Sequence, residues 1–101
     1  MVTAPALGLT ATVLAEVCER HRVRELAVFG SAAREDSRPD SDVDLLVDFA
    51  PEADPGFIAF NRLAEELSAL IGKKVDLVPK AGLKPAIREE VLAEAILLYA
   101  A

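Results

Sequence analysis

Polar and apolar side chains alternate from Asp42 to Phe49 except at Leu46, and this pattern constrains the fold more than any other feature of the chain. Successive side chains on a β-strand point to opposite faces of the sheet, so a segment of this kind places one face on a core. The polar face carries Asp42 and Asp44. The apolar face is formed by the odd positions, Val43, Leu45, Val47 and Phe49.

Other short segments complete a predicted sheet. We predict strands at Glu25 to Phe29, which stops at Gly30-Ser31, and at Lys74 to Val78, which is ended by Pro79. The tail from Ile96 to Tyr99 fits either a fourth strand or an extension of the last helix, and we favour the strand.

Apolar side chains at helical spacing separate these strands. We predict a first helix from a Thr10 cap to about Arg22 and a second from an Asp54–Pro55 start to a stop at Gly72. A third helix opens at Pro85. This order predicts an α/β (α+β) fold, with a small mixed sheet of three to four strands and helices packed mainly on one face.

Composition restricts the class of protein. A chain of 101 residues is expected to form one domain, residues 1–101. The net charge of -6 opposes direct nucleic-acid binding, which needs a surplus of basic side chains. The single Cys18 excludes an internal disulfide and a cysteine-based zinc site. Neither a membrane-spanning run of ~18 apolar residues nor a signal-peptide pattern is present, so we expect a cytoplasmic protein without membrane contact.

Asp42, Asp44 and Asp76 are candidate metal ligands. If the second and third strands are neighbours, the three carboxylates share the face opposite the core, with Asp42 and Asp44 roughly 7 Å apart along their strand. Aspartate is disfavoured in strands and like charges repel, so a bound cation would remove a penalty. Oxygen-only ligation suits Mg²⁺. The simpler alternative is that these aspartates only solvate the exposed face of the sheet.

Gly30 and Ser31 follow the first strand, where we expect a short helix from Ala32 to Glu35. Glycine lets the backbone approach a ligand closely, and helix N-terminal amides bind anions, so this turn is a candidate phosphate site. Arg34, one helical turn beyond Ser31, is within reach of the same phosphates. The alternatives are an ordinary turn glycine, a Ser31 N-cap and a solvated surface arginine.

Gly30-Ser31, ten further residues and Asp42-Val43-Asp44 together form the pattern GSX10DXD. Four fixed positions match by chance in a chain this short on the order of once in a thousand sequences. With this pattern the chain resembles the nucleotidyltransferase superfamily that includes DNA polymerase beta. Within it, the chain resembles the minimal nucleotidyltransferases (MNT), which act as antitoxins beside HEPN-domain ribonuclease toxins. The likeness is strongest from Val28 to Val47 and weak in the first helix.

The resemblance implies a polymerase beta-type palm that uses Mg²⁺ and ATP. By position, Asp42 and Asp44 would bind both metal ions, and Asp76 would bind the one nearer the attacking hydroxyl. Gly30 and Ser31 would contact the triphosphate. The implied activity is transfer of AMP from ATP to a hydroxyl, as on a tyrosine, of a partner HEPN toxin, which is thereby neutralised in a hetero-oligomer.

Three other functions stay open at this point. An antitoxin that blocks its toxin by occlusion alone would need no metal triad. A small-molecule nucleotidyltransferase of the antibiotic-modifying type would be expected to carry a second domain. Template-dependent polymerisation agrees least with the acidic charge.

Overall fold

The computed structural model describes residues 9–33 and 42–101. The helices of these residues are α1 (Ala11–Arg20), α2 (Phe57–Ile71) and α3 (Pro85–Glu94), with a short 3₁₀ turn at Lys80–Gly82 before α3. The strands are β1 (Val23–Phe29), β2 (Val43–Phe49), β3 (Val75–Pro79) and β4 (Ile96–Ala100). The tail therefore forms a fourth strand, as predicted.

The strands form one mixed sheet in the order β3-β2-β1-β4. β1 pairs antiparallel with both β2 and β4, whereas β2 and β3 run parallel. A parallel pair needs a crossover connection, and α2 supplies it. The predicted fold class, a small mixed sheet with helices, is confirmed.

The main core lies between the sheet and the two helices α1 and α2. Leu45 of β2 and Leu67 of α2 are fully buried there. The opposite face of the sheet carries a smaller cluster formed by Ala27, Leu46 and Leu83. Val91 of α3 and Ala95, its C-cap, pack against this cluster. Two of the helices in the described chain thus share one face, and the other face stays partly open beside α3.

The helix ends agree with the sequence at some positions and differ at others. Thr10 caps α1, because its hydroxyl accepts a hydrogen bond from the Val13 amide at 3.2 Å. Gly72 ends α2 in the left-handed conformation, as predicted. The predicted Asp54–Pro55 start of α2 was wrong. Gly56 is the N-cap instead, and α2 begins at Phe57. Glycine is also an accepted N-cap residue, so the Asp-Pro pattern alone does not determine where this helix begins.

Further boundaries also differ. α1 ends at Arg20 rather than at about Arg22, and β1 begins at Val23, two positions before the predicted start. Residues 31–33 form a turn. The rest of the predicted helix from Ala32 to Glu35, including Arg34, lies outside the described residues. Among the helices that the structure does describe, none is long and apolar enough to cross a membrane.

The core beneath the sheet should dominate stability. Leu67→Ala in α2 should lower the free energy of unfolding by about 2–5 kcal/mol, because it removes a fully buried side chain and leaves a cavity. Ile58→Ala in the same helix is the matched control, since Ile58 is 68% exposed and should change stability by only about 0.5 kcal/mol. Urea unfolding of both variants measures the difference. Equal losses would contradict the position of this core.

Candidate functional site

Asp44 and Asp76 lie side by side on neighbouring parallel strands. Their Cα atoms are register partners between β2 and β3. The apolar residues on either side of them, such as Leu45 and Leu77, are buried in the main core, so both carboxylates point to the opposite face. Asp44 is half-buried and Asp76 is exposed. Two carboxylates thus share one face at the beginning of β2 and β3.

Asp42 immediately precedes β2 and does not belong to it, so the predicted start of this strand at Asp42 was wrong. Aspartate is unfavourable within a strand, which agrees with the later start at Val43. The Val43 amide still donates a hydrogen bond to the Lys74 carbonyl at 2.9 Å, which holds this segment beside β3. The exposed Asp42 carboxylate lies 4.0 Å from the Lys74 ammonium nitrogen. Asp42 therefore lies at the same end of the sheet as Asp44 and Asp76, where β2 and β3 begin.

Gly30 makes the closest approach to these carboxylates. It follows β1, and Phe29, the last residue of that strand, is the register partner of Asp44. The backbone of Gly30 has a φ of 72°, which side-chain-bearing residues rarely adopt. A Cβ at this position would overlap Oδ2 of Asp44 and lie 3.3 Å from its Cγ. Glycine is required here both by conformation and by space.

The turn after Gly30 is also in contact with α3. The Gly30 amide donates a hydrogen bond of 2.8 Å to Oε1 of Glu94, the last residue of that helix. Sequence reasoning missed Glu94, because the two residues are far apart in the chain and no local spacing relates them. Ser31 is half-buried in the same turn. The structure therefore brings Gly30, Ser31, Asp44 and Glu94 to one end of β1.

The carboxylates offer only oxygen ligands. Mg²⁺ commonly binds one or two protein carboxylates and completes its shell with water and substrate phosphates, so the pair formed by Asp44 and Asp76 fits this ion. Within residues 9–33 and 42–101, no group of three or more His, Cys, Asp or Glu side chains is close enough to hold a metal ion. The assignment of Asp42 as a third ligand stays a prediction.

Cys18 and His21 lie elsewhere. Cys18 is completely buried in the main core, and burial raises the pKa of its thiol to about 12, so the thiol stays protonated and is not a nucleophile. His21 is the C-cap of α1, and its Nε2 lies 3.0 Å from Oε2 of Glu66. Hydrogen bonds from Arg20 and His21 lower the pKa of the Glu66 carboxyl. These residues link α1 to α2, as expected of a histidine at the edge of the core.

Carboxylates beside a glycine turn in a mixed α/β fold agree with the resemblance to nucleotidyltransferases that the sequence carries. Residues 11–98 match the nucleotidyltransferase domain family. The chain belongs to this family and is a nucleotidyltransferase. The predicted resemblance is confirmed.

Relatives narrow the class to the minimal nucleotidyltransferases. The protein adenylyltransferase MntA of Thermococcus cleftensis is 49% identical over 81 residues, which cover 80% of each chain. A solved structure described as a minimal nucleotidyltransferase is 39% identical, with a TM-score of 0.76, and the match covers 94% of this chain and 95% of that one. A chain in a complex of tri-AMPylated Shewanella oneidensis HEPN toxin with MNT antitoxin has the same fold, with 20% identity, a TM-score of 0.63 and coverage of 90% and 70%.

Two glycine variants separate backbone strain from the contact with Asp44. Gly30 and Gly72 have similar positive φ angles, but a Cβ at Gly72 would meet no atom within 4 Å. Gly30→Ala and Gly72→Ala should each cost about 1–2 kcal/mol of stability from the left-handed backbone. Only Gly30→Ala should also displace the Asp44 carboxylate, which crystal structures or the ¹³C shift of that carboxyl would reveal. An unmoved Asp44 in Gly30→Ala would contradict the close approach.

Proposed function

We propose that this chain is a Mg²⁺-dependent protein adenylyltransferase of the antitoxin type. It transfers AMP from ATP to a hydroxyl, as on a tyrosine, of a HEPN-type toxin and so neutralises that toxin. The observation that carries the proposal is the in-register pair Asp44 and Asp76 beside the Gly30 turn. The 49% identity to a protein named as an adenylyltransferase supports the activity. The fold shared with a chain of the complex between tri-AMPylated HEPN toxin and MNT antitoxin supports the partner.

The carboxylates at the N-terminal ends of β2 and β3 would hold the metal. Asp42, Asp44 and Asp76 are the proposed ligands. A bound cation would offset the repulsion between the carboxylates of Asp44 and Asp76, which are register partners. When bound, Mg²⁺ neutralises the triphosphate charge and orients the attacking and leaving oxygens. Catalysis of this kind depends on positioning and electrostatics more than on covalent chemistry by the protein.

The glycine turn would hold the phosphates. Gly30 has no side chain, so the turn can approach a triphosphate closely, and Ser31 offers a hydroxyl and an amide. Arg34 stays a proposed phosphate contact, carried over from the sequence. Asp76 is exposed, so an incoming hydroxyl can reach it and transfer its proton there. The hydroxyl oxygen bonds to the α-phosphorus of ATP while the bond to pyrophosphate breaks.

The surface offers apolar contacts for a protein partner. Large exposed apolar side chains occur on α2, α3 and β4, and they are Phe57, Ile58, Ile87, Leu92 and Leu97. Leu92 and Leu97 also line a cavity of about 140 Å³ on the side of the sheet that carries α3. The net charge of -6 favours a protein partner over a nucleic acid. The cytoplasmic location expected from the sequence stays a prediction.

The direct test is incubation with Mg²⁺-ATP and the product of a neighbouring HEPN-type reading frame. The intact mass of the partner should rise by one or more AMP units, and EDTA should prevent the gain. A stable complex without any mass gain across several nucleotides would reject the transferase and leave an antitoxin that acts by occlusion. A gain on a small hydroxyl compound but not on the partner would reject the protein substrate.

Substitution of the carboxylates tests the metal site. Asp42→Asn and Asp44→Asn should each lower AMP transfer by about a hundredfold or more, because they remove charge that balances the metal. Asp76→Asn should also be severe but less complete. Melting temperatures should change little, since the main core lies on the other face of the sheet.

Asp48→Asn is the matched control. Asp48 lies on the same strand, but its partner is Arg24, and it is remote from the Gly30 end of β1. Asp48→Asn should retain transfer close to that of the unmodified protein. An equal loss in this variant would show that charge on the sheet, and not metal ligation, accounts for the result.

A further inference from the structure

Glu94 is the acceptor for the Gly30 amide, at 2.8 Å, although the two residues are separated by 64 positions in the chain. Gly30 directly follows β1 and leads into the proposed phosphate-binding turn. Glu94 ends α3, on the side of the sheet that is partly open. A carboxylate acceptor makes this hydrogen bond stronger than one to a neutral oxygen.

Both ends of this hydrogen bond are fixed by the same pair of strands. The Ala95 amide donates to the Val91 carbonyl at 3.0 Å, which closes the last turn of α3. Ile96 then begins β4 and is the register partner of Val28 in β1. Glu94 is therefore two residues before Ile96 in the chain, and Gly30 is two residues after Val28. The pairing of β4 with β1 thus brings the backbone of Glu94 close to that of Gly30.

Glu94 and Asp44 restrain Gly30 from different directions. Asp44 Oδ2 occupies the space where a side chain of Gly30 would lie, and Glu94 binds the amide. An amide has one hydrogen, and that of Gly30 is directed at Glu94, so phosphate recognition falls to Ser31 and to the backbone beyond it. The position of Ser31 then depends on how firmly Gly30 is held.

We propose that Glu94 is a positioning residue of the nucleotide site, which fixes the Gly30 turn so that Ser31 meets the triphosphate. This inference rests on the proposed function. Glu94 touches neither the nucleotide nor the reacting hydroxyl in this assignment. It acts through Gly30. The hydrogen bond to the Gly30 amide, rather than the negative charge alone, holds the turn in position.

Amide hydrogen exchange of the nucleotide-free protein tests the contact itself. In Glu94→Ala, the Gly30 amide should exchange about tenfold faster, because its acceptor is removed. Glu94→Gln retains an acceptor oxygen and should restore most of the protection. Glu90→Ala, an exposed position on the same helix, is the matched control and should leave the Gly30 amide unchanged. Equal Gly30 exchange in all four proteins would overturn the inference.

Kinetics test the consequence. Glu94→Ala should raise the KM for ATP about tenfold while kcat changes little, because a displaced Ser31 weakens binding of substrate and transition state alike. Glu94→Gln should return the KM towards that of the unmodified protein, and Glu90→Ala should not alter it. An unchanged KM in Glu94→Ala, or a loss confined to kcat, would overturn the positioning role.

The two proposals fail in distinguishable ways. If the unmodified protein transfers no AMP but Glu94→Ala still releases the Gly30 amide and weakens Mg²⁺-ATP binding in a titration, the transferase is rejected and the positioning of the turn stands. If the unmodified protein transfers AMP and Glu94→Ala matches it in KM and in Gly30 exchange, the positioning role is rejected and the transferase stands.

Discussion

The close approach of the Gly30 backbone to the Asp44 carboxylate is the constraint on which the site depends. Phe29 pairs with Asp44 across β1 and β2, so the residue after Phe29 must turn away above a charged group. No side chain fits between them, and the φ of 72° that makes the turn is one that glycine adopts without strain. The approach brings a turn suited to phosphate next to carboxylates suited to a metal ion.

The apolar core and the aspartates of the candidate site lie on opposite faces of the same strands. In β2, Val43 and Leu45 are buried against the helices, whereas Asp44 between them is directed to the partly open face. A sheet that is anchored by its apolar face tolerates repelling carboxylates on the other. Carboxylates can therefore be brought together on this face without weakening the core, which lies on the other.

The sequence predicted the parts of this arrangement that local patterns determine. Alternation in β2 indicated the face of Asp44, and the GSX10DXD pattern indicated the family. The Thr10 cap and the Gly72 stop followed from the preferences of single residues. The four-stranded sheet was predicted only as one of two alternatives, because a short apolar tail has no periodicity that separates a strand from a helix.

The remaining parts depend on contacts between distant segments. α2 begins at Phe57 after the Gly56 N-cap, later than the Asp54–Pro55 pattern predicted. The contact between Glu94 and Gly30 arises from the pairing of β4 with β1, which no sequence interval reveals. The strand start at Val43 leaves Asp42 outside the alternation that was used to place it.

Because β2 and β3 are parallel, the length of the crossover between them sets the register of β3. Asp76 meets Asp44 only because α2 and the short link after Gly72 deliver β3 in one register, which the hydrogen bond from the Val75 amide to the Ser68 hydroxyl helps to fix. A slip of one residue would direct Asp76 into the core and expose Val75 and Leu77. The length of this link thus matters to the proposed metal site as much as the aspartate that it positions.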